Sequence, residues 1–153
     1  MSRRTRVGLT IILAVGAACA ADRGFGPGSG FTHAVMTPTC GPADGPAVTI
    51  YLASVSVDPR HPPMPHIRIS VWDAPAKVGG RTWRLGGSGD TASAVLVRGA
   101  NDYEAATSGH VTVGVIDTTS ATHGSAMLLF PTLGLVLRDF RAAWSSAAPF
   151  LCG

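Results

Sequence analysis

The chain has 153 residues, 46% of them hydrophobic and 14% charged, with 12 Lys and Arg against 9 Asp and Glu. That length is enough for one domain with a single core. Arg3, Arg4 and Arg6 account for the formal net charge of +3, and without them 9 basic residues face 9 acidic ones, a balance with no electrostatic footprint for nucleic acid or an anionic membrane surface.

Those three arginines open the chain. Val7 to Ala18 follows as an uncharged apolar run, and Ala18-Cys19-Ala20 sets small residues where a signal peptidase reads. Basic, then apolar, then small is the order of a secretory signal peptide over residues 1–20, and the apolar run is too short to span a bilayer. Ser2-Arg3-Arg4 is similar to the start of a twin-arginine export signal. Cys19 resembles the lipid-bearing cysteine of bacterial lipoproteins. Cleavage after Ala20 and lipidation of Cys19 both stay open, and a lipid on Cys19 is the one membrane attachment expected. The address is the periplasm, the outer envelope or the exterior.

Residues 21–39 are rich in Gly, Pro, Ser and Thr and include Gly24-Phe-Gly-Pro-Gly-Ser-Gly30. They lack periodicity and predict a flexible tether. No G-x-G-x-x-G is present, so these glycines are not a nucleotide fingerprint. The folded domain is expected over residues 40–153. Cys40 and Cys152 stand at its two ends, and in an oxidising compartment they predict one disulfide. Its loop of about 100 residues corresponds to roughly 4–5 kcal/mol in the chain-entropy view.

Within the domain, Ala47 to Ala53 alternates, with Val48, Ile50 and Leu52 on one face and Thr49 and Tyr51 on the other. That is a half-buried strand. Ser54 to Pro65 carries four prolines and is a loop. His66 to Asp73 alternates again, with Ile67, Ile69 and Val71 inward and His66, Arg68, Ser70 and Trp72 outward. After a loop ending in Gly79-Gly80, Arg81–Leu85 and Thr91–Arg98 predict two further strands. Gly99 to Ser108 reads as a surface loop, with room for a short helix over Tyr103 to Ala106. Gly109–Asp117, Gly124–Phe130 and Leu135–Trp144 then form an antiparallel meander. Seven short strands without a long helical period predict an all-β fold: one small antiparallel β-sandwich, or a partly closed barrel.

The pattern Gly109-x-Val-x-Val, Gly124-Ser-x-Met-x-Leu-x-Phe, Phe140-x-Ala-x-Trp and a terminal cysteine resembles that of small secreted bacterial envelope proteins and lipoproteins. The likeness runs from Cys40 to Cys152. It implies a disulfide-closed β domain in the envelope and assigns no activity to any residue.

Three constellations could carry chemistry. His61-Pro-Pro-Met-Pro-His66 puts two imidazoles and a thioether on a stiff loop, a ligand set that suits copper, above all Cu(I). Against it stands the plain reading, an exposed Pro-rich loop and no cofactor. Tyr51, Trp72 and Trp83 could form an aromatic platform for a carbohydrate or protein partner, or cap the sheet. His110, His123, Ser108, Asp117 and Asp139 lie on the meander, but no G-x-S-x-G elbow accompanies them, and neither C-x-x-C nor H-E-x-x-H occurs for zinc. The leading expectation is an exported, non-enzymatic binding or structural domain. A copper-binding periplasmic protein comes second and an extracellular hydrolase third.

Overall fold

The computed structural model describes residues 30–86, 91–146 and 152. The strands are β1 (His33–Cys40), β2 (Pro46–Ala53), β3 (His66–Val71), β4 (Arg81–Leu85), β5 (Ala92–Gly99), β6 (Asp102–Ala105), β7 (Ser108–Val113), β8 (Thr122–Phe130) and β9 (Gly134–Trp144). One four-residue helix, α1 (Pro75–Val78), precedes β4. All nine strands belong to one sheet in the order β4-β7-β8-β9-β1-β2-β3-β5-β6. The sheet is curled into a half-barrel, so the all-β class holds and the partly closed barrel describes it better than two stacked sheets.

Two of the nine strands were not expected. Residues 33–39, assigned to a tether by composition, are β1, at the centre of the sheet. Met36 and Ala34 face the interior, while Val35, Thr37 and Thr39 lie on the other face, and Met36 has no exposed surface. Its β-branched residues suit a pleated surface. Pro38 is tolerated because the ladder to β9 covers only Ala34↔Ala142 to Met36↔Trp144. The second is β6, which pairs with β5 where a loop or short helix was expected. The strand expected to reach Asp117 ends at Val113, and the Gly114 amide bonds His123 O at 2.8 Å. Val115 is exposed in the loop beyond.

The interior is built by alternation. Val48, Ile50 and Leu52 of β2, Ile67, Ile69 and Val71 of β3, Val111 and Val113 of β7, and Leu128 and Phe130 of β8 are buried in one core. Gly124 faces inward beneath Phe140, its register partner. A Cβ at Gly124 would collide with the Phe140 ring and sit 2.7 Å from Thr112 O, so the close approach of β7, β8 and β9 requires glycine there.

The free edges β4 and β6 are drawn together because β6 passes straight into β7. In that link Ala106 N bonds Ala94 O at 2.9 Å and Thr107 N bonds Leu129 O at 2.8 Å, which ties β5 to β8. A polar clasp reinforces the same end. Glu104 on β6 accepts from Arg98, from the Thr132 hydroxyl and from Thr132 N at 2.5 Å, and Arg98 also bonds Asp102 at 3.1 Å. At the opposite end of β1, Cys40 and Cys152 are joined in a disulfide with Cα atoms 5.6 Å apart.

Candidate functional site

The outward side chains of β7, β8 and β9 form rows across the strands. Thr112, Ser125 and Asp139 make one row and His123 with Arg141 the next, as the registers Thr112↔Ser125, Ser125↔Asp139 and His123↔Arg141 require. Because β1 runs parallel to β9 from Ala34↔Ala142 onward, His33 arrives beside Arg141. Before that point β9 has no β1 neighbour, and Phe31 and Thr32 wall the gap. The result is an open trough of about 810 Å3 lined by these residues together with Gly114, Gly124, Arg138 and Phe140.

Some polar groups of the trough are uncommitted, while the Thr112 hydroxyl lies 2.8 Å from that of Thr82 on β4. Among the described residues, Ser125, His123, Asp139 and Arg141 have no side-chain hydrogen bond or ion pair, while His33 Nδ1 lies 3.1 Å from the Thr32 hydroxyl. Arg138 shares the inward parity of Val136 and Phe140, and its Nε and Nη2 are buried without a hydrogen-bond partner. Arg98, by contrast, is engaged by Asp102, Glu104 and Thr132. Beside the trough lies a second depression of about 440 Å3 lined by His110, Met127 and Leu137 among others. It leads to two cross-strand apolar pairs, Met127↔Leu137 and Leu129↔Leu135, all four side chains being 37–54% exposed.

The sequence candidates fall elsewhere. His66 is buried, its Nδ1 lies 2.8 Å from Pro63 O, and its ring meets Tyr51 edge-on at 5.5 Å. Burial lowers its pKa, which favours the neutral imidazole. His61 is exposed with Nδ1 3.6 Å from the Asp58 carboxylate, and Met64 is exposed. The Arg60 amide, bonded to the same Asp58 carboxylate, is the main cause of its lowered pKa. Among the described residues no three His, Cys, Asp or Glu side chains are grouped to hold a metal ion.

The aromatic platform does not form as expected. Trp83 is a core residue whose Nε1 donates to Val78 O at 3.1 Å. Its inward placement follows from its parity with Leu85, buried on the same strand. Tyr51 and Trp72 are half-buried, and the Trp72 ring packs against the turn at Gly41. Asp117 is occupied by its own loop, accepting from Thr119 and Ser120. Cys19 lies outside the described residues.

His123 and Asp139 were visible as candidates, but His33, Ser125, Arg138 and Arg141 were not. Arg138 had one sequence signal: extending the alternation Phe140, Ala142, Trp144 back by one step sets a cation on the inward face. The molecule thus defines a class, a disulfide-closed β half-barrel with a polar trough on its outer face. No family model, curated protein or solved structure matches the chain.

Proposed function

We propose that the chain is an exported domain of the bacterial cell envelope that acts by binding a partner, carbohydrate or protein, rather than by catalysis. The observation that carries this reading is the Cys40–Cys152 disulfide, a bond that persists in oxidising compartments and is rare in the cytosol. The basic, apolar and small order of residues 1–20 supports the same address. Binding is favoured over catalysis by the character of the trough, which is open and holds uncommitted polar side chains on a rigid sheet. A lipid on Cys19 would hold the domain at a membrane, with thirteen residues, 20 to 32, before β1 begins.

Fractionation of cells producing the full chain tests the address, with intact-mass analysis of the product. The expected species has a disulfide and an N-terminus at Ala21, or an acylated N-terminus at Cys19, and is found in the envelope fraction. A full-length, fully reduced cytoplasmic species overturns the reading.

A further inference from the structure

We infer that one end of the half-barrel holds a site for a small uncharged apolar molecule, of the size of a single hydrocarbon ring. This goes beyond the binding role proposed above and makes no use of the trough. The site is a pocket of about 170 Å3 lined by Phe31, Pro65, Leu96, Arg98 and Leu133. Topology brings these residues together. Phe31 lies just before β1, Pro65 just before β3, Leu96 and Arg98 near the end of β5, and Leu133 in the turn from β8 to β9. Because β1, β2, β3 and β5 alternate in direction and β9 runs parallel to β1, all these positions fall at one end of the sheet. The mouths of β-barrels are recurrent sites for small ligands.

Charge and size select the occupant. Leu96 belongs to the core, and Phe31 and Leu133 pack against that core while keeping some surface. Arg98 carries the only charge among the five lining residues, and the β5–β6 ladder slips beside it, from Val97↔Tyr103 to Gly99↔Asp102. A slip of this kind re-aims a side chain, and here the guanidinium is held by Asp102, Glu104 and Thr132. Two carboxylates thus surround one cation, and the rim disfavours an anionic head group. The other four lining side chains offer a polar group no hydrogen bond, so burying one there is costly. An apolar cavity of about 150 Å3 stays dry and takes up benzene. The pocket is of that order.

Titration of the disulfide-intact protein with toluene, followed at the methyl resonances of Leu96 and Leu133, tests the inference. Both leucines should shift saturably, and benzoate, the charged counterpart, should bind about tenfold or more weakly. Leu133→Trp should fill the pocket and abolish the toluene shift at Leu96. Leu137→Trp, on the outer face of β9, should leave that shift intact. Leu133 is a partly exposed turn residue, so its variant reads the site even where a second filling variant, Leu96→Phe, fails to fold. The absence of a saturable shift up to the solubility of toluene overturns the inference and leaves a packing void. Benzoate binding as tightly as toluene overturns it by showing that the rim does not select against charge. Persistence of the Leu96 shift in Leu133→Trp overturns it too, by placing the ligand elsewhere. None of these results bears on the trough or on the address proposed above, which stand or fall by their own test.

Discussion

The carboxylate of Asp117 accepts hydrogen bonds from the Ser120 hydroxyl at 2.7 Å, the Thr119 hydroxyl at 2.7 Å and the Thr119 amide at 2.8 Å. Each bond favours the charged form, the Ser120 hydroxyl most, and together they hold its pKa at about 2 against an ordinary value of 3.8. The folded-state pKa is depressed, so the unfolded chain binds the proton more readily. The contribution of Asp117 to stability is therefore complete above 3.8 and fades as the pH falls through about 2. A carboxyl-detected NMR titration should place the Asp117 midpoint near 2, and Asp117→Asn should flatten the pH dependence of the urea midpoint in that window. A midpoint at the ordinary carboxylate value would show that the loop from Gly114 to Ala121 is not held by this turn. Asp117 spends its acceptors within four residues of chain, whereas Asp139, two residues from Arg141, spends none on another described side chain.

At the scale of the strand, β1 changes the meaning of residues 33–39. Met36 is fully buried between β9 and β2. Met36→Ala should destabilise the fold by about 2–5 kcal/mol, as large-to-small core substitutions do, measured by urea unfolding with the disulfide intact. A residue in a solvated tether would give a change near zero. Most strands were readable because alternation is local: Ile67, Ile69 and Val71 declare a buried face without reference to any other part of the chain. β1 was masked by composition, since Thr37, Pro38 and Thr39 resemble linker residues until their partners on β2 are known. Trp83 was misplaced because a tryptophan on a short strand reads equally well as a surface or a core residue. The trough was illegible for a different reason. Its residues come from β1, β7, β8 and β9, and only the parallel pairing of β1 with β9 brings His33 to Arg141.

At the scale of the molecule, the curled sheet divides into two blocks. One runs β1-β2-β3-β5-β6 and the other β4-β7-β8-β9, and their hydrogen-bonded seam is β1 against β9. Among the described residues that seam is the only parallel pairing, and it spans three register pairs, against nine between β8 and β9. Parallel pairing is also slightly weaker per residue and closes at long sequence separation. The disulfide lies where it compensates. β1 ends at Cys40, β9 ends at Trp144 opposite Met36, and Cys152 returns to Cys40 across a sequence separation of 112. In the chain-entropy view that loop corresponds to about 5 kcal/mol, a large part of the stability typical of a domain this size. Reduction should lower the urea midpoint by a matching amount. Under native conditions, amide exchange in the reduced protein should accelerate first at residues 34–36 and 142–144, before the β7–β8 and β2–β3 ladders respond. Uniform acceleration across all nine strands would instead mean that the bond acts on the unfolded chain alone and that the seam holds without it.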